Sequence, residues 1–228
     1  MSGVSDINRA KLGALSLAEV RRRLQAGGDD IAIRRAGVRL AGGGSSTPHV
    51  RGDHDLNPDL APSAPLVPAA VLVPIVLRPA GMTVLLTRRT GHLNVHAGQI
   101  SFPGGRLEAG DTDAIAAALR ETREEIGLEP AHIEIAGRLD TYLTRTGFEI
   151  TPLVGIVHPP FTLSRDEFEV AEVFEVPLDF VLDPENHQRR SRRERGIERR
   201  FYVLPYGDYF IWGATAGMLV NLYEVLAH

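Results

Sequence analysis

The sequence predicts an α/β fold in which a mixed sheet is held between helices, with a short helical extension in front of it. Short apolar runs rich in β-branched residues recur along the chain, a central segment switches to helical periodicity, and the chain closes on a second helical segment. Apolar content of 43% and charged content of 24% are ordinary for a packed domain, so the apolar runs have a core to enter.

Residues 1–66 read as an extension and 67–228 as the main domain. Ser16 and Glu19 have capping-box spacing, and Leu17, Val20 and Leu24 form a narrow apolar stripe, which predicts a helix over 16–26. AGGGSSTP at 41–48 and the proline-punctuated stretch 57–68 read as flexible connection. Nothing before residue 61 carries a chemical motif, so its removal is expected to leave activity in place.

Ala69–Leu77 and Thr83–Thr87 predict a hairpin around RPAGM. Residues 91–100 follow, with His92, His96 and Gln99. Two histidines four apart can share a zinc ion on a helix, but Gly91 and Gly98 favour a loop and no third ligand is evident. A polar loop beside a substrate is the reading preferred.

Residues 104–128, GGRLEAGDTDAIAAALRETREEIGL, begin as a glycine turn and continue as a helix. Asp111, Thr112 and Asp113 offer N-caps, Ile115, Leu119, Thr122 and Ile126 recur at helical spacing, and Gly127 followed by Pro130 ends the run. Glu121, Glu124 and Glu125 gather on the other side with Ala114, Ala117 and Ala118, small enough to leave room beside the acids. Like charges at these spacings repel, and a hard divalent cation would reverse the sign of that term. A solvated face neutralised by Arg120 and Arg123 is the plainer alternative. The glycine turn, the REXXEE spacing and the terminal glycine together favour a site. Glu121 and Glu125, four apart, are the best direct ligands, with Glu124 a third ligand or an orienting group. Arg120 can pair with Glu124 and position it.

Beyond the helix, Ile133–Leu139 and Phe148–Val157 read as strands joined by a donor-rich loop with Tyr142, Thr144, Arg145 and Thr146, which suits a phosphate or an amide, or is an ordinary connection. Val170–Val176, Phe201–Leu204 and Tyr209–Trp212 add strands, and Ala214–Leu226 places Met218, Leu219, Leu222 and Leu226 on one helical face. RRSRRERGIERR at 189–200 holds seven arginines; a solvated hairpin or edge strand is preferred over an anion-binding patch.

A net charge of -4 argues against a general nucleic-acid binder. No run approaches the ~18 apolar residues a membrane span needs. MSGVSDINRAK lacks the apolar core of a signal peptide and the chain has no cysteine, so a cytoplasmic location is the default expectation.

The 104–128 segment resembles the Nudix box, G-x5-E-x7-R-E-U-x-E-E-x-G-U, matching at Gly105, Arg120, Glu121, Glu124, Glu125, Gly127 and Leu128. It departs in having Asp111 as the first acid, one extra residue before Arg120, and Thr122 for an aliphatic residue. Upstream, LLTRRTGHLNVHAGQISFPGG is similar to the added signature of the coenzyme A diphosphatase branch, with Asn94 where that signature has Arg. NHQRR and IWGATA extend the likeness, so it covers roughly residues 66–226.

The resemblance implies a Nudix-type α/β/α sandwich that uses Mg²⁺ or Mn²⁺. It implies a metal shell from Glu121, Glu124, Glu125 and the Gly104 carbonyl, with Arg120 and Glu124 in the catalytic set. The resemblance does not identify the general base; members can recruit an acid from outside the box, for which Glu169 and Glu172 are candidates, with surface positions on a strand as the alternative. Arg89 and Gly105 are expected to meet the substrate. The expected reaction is hydrolysis of the diphosphate in coenzyme A or its derivatives, giving 3',5'-ADP and 4'-phosphopantetheine or its acyl form. Another nucleoside diphosphate such as ADP-ribose, or a non-catalytic nucleotide sensor, is the alternative; three retained glutamates argue against the sensor. A small-molecule nucleotide is the expected partner, and a homodimer is compatible with the sequence.

Overall fold

The computed structural model describes residues 15–26, 50–60, 65–91, 98–194 and 196–227. His92, Asn94 and His96, and the stretch 41–48, lie outside the described residues.

Two long strands, β2 (Val67–Arg78) and β8 (Phe148–Val157), run parallel at the centre. Flanked by strands on both sides, β2 is buried on both faces, which is why it reads as an unbroken apolar run. On the far edge of β8 lie β6 (Ile133–Arg138) and β7 (Thr141–Leu143), both antiparallel to it, and β1 (Val50–Gly52) closes that side parallel to β7. On the other edge of β2, β3 (Gly81–Arg89) completes the expected hairpin and β5 (Gly104–Arg106) occupies the remaining length. β3 also pairs with β4 (Ile100–Ser101) and with β9 (Val170–Pro177).

Alternation along β2 sorts the core into two layers. Val71, Val73 and Ile75 face α4 (Gly213–Ala227) and the short α3 (Leu178–Leu182), whereas Ala70 and Leu72 face α2 (Ala114–Ile126). The result is the α/β/α sandwich expected from sequence. A second sheet, β10 (Gln188–Glu194), β11 (Ile197–Tyr206) and β12 (Tyr209–Trp212), packs Leu204 and Ile211 into the α4 layer. Its outer part carries the arginine-rich stretch as an exposed antiparallel ribbon, with Arg189 over the ring of Tyr202 and Arg190 over Phe210.

The extension is tied into this body. In α1 (Leu17–Ala26), whose start is capped by Ser16 Oγ accepting from Glu19 N, Val20 and Leu24 are fully buried. Leu24 lies against Gly137, where an added Cβ would come within 3.0 Å of it, and Arg21 forms a two-point ion pair with Glu134.

Candidate active site

Helix α2 is fixed at both ends as its sequence suggests. Asp113 accepts from Ala116 N at 2.8 Å, and Gly127, at φ 68°, turns the chain out while its N–H reaches Arg123 O. The face it buries takes in half of the expected stripe, Thr122 and Ile126 being fully buried, and extends beyond it. Ala117 and Ala118 are buried against Ala70, Leu72 and Leu153, and Glu125 is only 5% exposed, whereas Ile115 and Leu119 are half-buried. The small alanines let the helix settle close to the sheet, which rotates its contact face toward the acids. Room beside the glutamates comes instead from the β5 glycines. Thr122, where an aliphatic residue was expected, bonds its hydroxyl back to Ala118 O at 2.6 Å, so a buried polar group stays paired.

Strand β5 brings Gly104 and Gly105 over this helix. A Cβ on Gly105 would stand 2.4 Å from the Glu121 carboxylate, so only glycine allows that approach. Gly104, at φ 148°, donates its N–H to Glu125 Oε2 at 3.3 Å.

Arg120 organises the open side. Its five N–H groups meet Asp111 twice (3.0 and 2.9 Å), Glu121 and Glu124 (3.0 Å each) and Arg106 O (3.2 Å). Asp111, which departs from the box pattern, is thus the anchor for the arginine. Arg120 holds its carboxyl at about 2, well below the usual range, and the arginine's own pKa is raised in return. The Glu124 side chain is 60% exposed beside Arg120.

The buried side is electrostatically unbalanced. Desolvation pushes the Glu125 carboxyl up to about 8; Arg89 at 3.7 Å and the Gly104 N–H offset this only in part, and Glu121 and Glu169 push in the same upward direction. Burial also raises Glu121, against the pull of Arg120.

Of the two candidate bases, the fold brings Glu169 to the cluster, its Oε2 lying 3.8 Å from Arg89 Nη2. Thr90 fixes that segment through its N–H to Glu169 O and its hydroxyl to Phe168 O. Glu172 pairs instead with Arg88 and accepts from the Tyr209 hydroxyl. Glu172 lies within β9 opposite Arg88, whereas Glu169 precedes the strand, where a bulge that skips Ala171 sets Val170 opposite Arg89.

Several carboxylates thus share a partly desolvated corner with too little positive charge, and hard cations prefer oxygen donors. Among the described residues no three acidic or histidine side chains already converge at coordinating distance, because the glutamates turn to arginines and backbone N–H groups. Their donor chemistry and charge imbalance nevertheless fit a divalent metal ion.

A family model described as NUDIX domain matches residues 67–195. The chain belongs to the Nudix family. Among curated relatives, "Uncharacterized Nudix hydrolase NudL" of Escherichia coli K12 is 44% identical over 154 residues, 68% of this chain and 80% of that protein. The protein of the same name from Citrobacter koseri is 43% identical over the same shares. Among solved structures, a C. elegans Ap4A hydrolase is similar at 20% identity and TM-score 0.43 over 49% of this chain and 80% of that one. A Deinococcus radiodurans protein, DR0079, matches at 14% identity and TM-score 0.46 over 69% and 83% of the two chains. As a Nudix hydrolase the protein acts on phosphorus-containing anhydrides, and the family's members generally use divalent metal ions. Among the described residues no helix is long and apolar enough to cross a membrane.

Proposed function

We propose that this Nudix hydrolase cleaves the diphosphate linkage of coenzyme A or its derivatives, releasing 3',5'-ADP and the (acyl-)4'-phosphopantetheine. The observation that carries the reading is the run from LLTRR to FPGG, which resembles the coenzyme A diphosphatase signature and supplies both Arg89 and the Gly104–Gly105 turn around the acids.

Glu121 and Glu125 would hold Mg²⁺ or Mn²⁺, with Glu124 and the Gly104 carbonyl completing the protein's share of the shell. When bound, the metal neutralises phosphoryl oxygens and lowers the pKa of the attacking water. The chain's own residues do the rest. Arg120, anchored by Asp111, holds Glu121 and Glu124 in place. Arg89 lies between Glu125 and Glu169, where it can meet a phosphate oxygen once the acids engage a cation. Glu169, close to the helix acids yet 44% exposed, is the group best placed to accept the water's proton. Gly105 gives the substrate and Glu121 a wall without a side chain.

The test is hydrolysis of coenzyme A, 3'-dephospho-coenzyme A, ADP-ribose, diadenosine polyphosphates and dNTPs with Mg²⁺ or Mn²⁺, with products identified by mass. Coenzyme A should have the highest kcat/KM. Because Asn94 stands where the signature has Arg, its margin over the 3'-dephospho form should be modest, and Asn94→Arg should widen it by about one to two decades, the worth of one charge-assisted contact. Equal values for the two substrates in the native protein would remove 3'-phosphate recognition, and a preference for ADP-ribose would move the chain out of this branch.

A further inference from the structure

The segment 50–60 carries no motif, yet it grips the loop between β7 and β8. Gly52 pairs with Leu143 so closely that a Cβ there would lie 2.4 Å from Leu143 O. Asp53, the next residue, divides its carboxylate between two donors of one loop: Oδ1 accepts the Tyr142 hydroxyl at 2.9 Å and Oδ2 accepts Arg145 N at 2.9 Å. Tyr142 is only 5% exposed, and its ring edge occupies the space left by Gly217 of α4, where a Cβ would be 2.7 Å away. The same segment is held at its other end by Asn57, which exchanges hydrogen bonds with both backbone groups of Arg200. Arg51 anchors its start on Asp140 at 2.8 Å, and a narrow cleft runs between Arg51, Asp53, Tyr142, Arg200 and Tyr202.

What Asp53 fixes is the turn at 144–147. That turn is internally complete, since Thr144 Oγ1 accepts from Phe148 N, so Asp53 sets where it sits rather than whether it forms. Gly147 O accepts from Val67 N at the start of β2. On the other edge of the same stretch of β2, Ala69 pairs with Arg106 and Ala70 with Gly105, the residue against Glu121. The Arg106 guanidinium reaches over the Phe148 ring at 5.3 Å, spanning the two edges. Arg145 and Thr146 are exposed. They stand two strands to the side of β5 and at least three residues along from the level of Gly105, roughly 15 Å from the residue that meets Glu121, at the same end of the sheet. An extended nucleoside diphosphate held at Glu121 and Glu125 covers that span.

We propose that Asp53 is a positioning residue for the substrate: it holds the 144–147 turn so that Arg145 receives an anionic group of the substrate lying beyond the reacting diphosphate. The inference rests on the diphosphatase reading above, but not on coenzyme A being the substrate. Asp53 touches neither the reacting atoms nor the acids, so its replacement acts on binding rather than on the chemical step.

The experiment is a double-variant cycle with Asp53→Asn, Arg145→Ala and the pair in the full-length chain. It is read as kcat and KM separately, with Mg²⁺ and with whichever compound of the substrate panel the native protein hydrolyses best. Thermal melting reports folding. Asp53→Asn keeps an acceptor for Tyr142 but turns an N–H₂ toward Arg145 N. Each single variant should raise KM by about tenfold, with a much smaller change in kcat, and the double variant should be no worse than Arg145→Ala alone. Multiplying effects in the double variant, or a loss confined to kcat, would overturn the proposal. So would an Arg145→Ala protein that melts normally with native KM, and that result decides even if Asp53→Asn fails to fold. Failure of the coenzyme A reading shows separately, as a different preferred substrate in the native protein.

Discussion

Replacing Glu125 by Gln should abolish most activity and, in metal-free protein, raise stability in a pH-dependent way. The residue is 5% exposed and its carboxyl is pushed up to about 8 from an ordinary 4.5, chiefly by burial, with Glu121 and Glu169 adding to the shift and Arg89 and the Gly104 N–H opposing it. Below pH ~4 the group is protonated folded and unfolded alike and contributes nothing. Between the two values the unfolded chain ionises while the folded one keeps its proton, so folding loses ~1.4 kcal/mol per pH unit, reaching ~4 kcal/mol at pH 7.5 and levelling off above 8.

Glutamine has the same shape and no charge, so it escapes this cost. The attraction of Arg89 is already counted in the shifted value, so a net gain on the order of 2–4 kcal/mol should remain, roughly 4–16 °C in Tm for a domain of this size. The variant and native melting curves, recorded in EDTA from pH 4 to 8.5, should coincide at the acid end and separate as pH rises. Mg²⁺ should then stabilise the native protein and not the variant, because only the native site gains binding energy from the folded state. At saturating Mg²⁺ or Mn²⁺, kcat/KM should fall at least about 10²-fold, some 3 kcal/mol of transition-state stabilisation. Native activity in the variant, or melting curves that do not diverge with pH, would refute the buried-ligand argument.

The two glycines of β5 should respond differently to alanine. Gly105→Ala meets only the far end of Glu121, so activity and Mg²⁺ response should drop at least about tenfold while Tm moves by no more than ~3 °C. Gly104→Ala drives a Cβ to 2.4 Å from Ala70 O at a positive φ, and should cost ~2–4 kcal/mol in a urea melt. Asp111→Asn removes the carboxylate that anchors Arg120, so kcat should fall about tenfold with KM less affected. The native Asp111 pair, with its carboxyl depressed to about 2 from 3.8, contributes stability that is present above pH ~4 and lost as pH falls through ~2; the variant should lack that acid limb. Removal of residues 1–60, tolerable on the sequence alone, should instead lower Tm by ~10 °C or more, because it strips out Val20, Leu24 and the partner strand of β7; an unchanged melt would show these contacts to be dispensable.

What the sequence determined by itself was local. Capping residues at 111–113, a terminal glycine and helical spacing placed the start of α2 within three residues and its end at Ile126, and apolar runs placed Phe148–Val157 and Tyr209–Trp212 at the very ends the structure gives them. These features arise from interactions between residues a few positions apart, which periodicity reports directly. The box spacing likewise located the glutamates and the glycine turn.

Only tertiary structure decided which face α2 buries, since Ala117 and Ala118 become core residues when a sheet offers Ala70 and Leu72 opposite them. It also set Glu169 beside Arg89 and gave Glu172 to Arg88 and Tyr209, partners that come from other strands. Asp111 gained its role from an arginine nine residues on, and Asp53 from a loop some ninety residues away. Their partners are set by strand order and register, which bring together charges and donors that the chain itself keeps far apart.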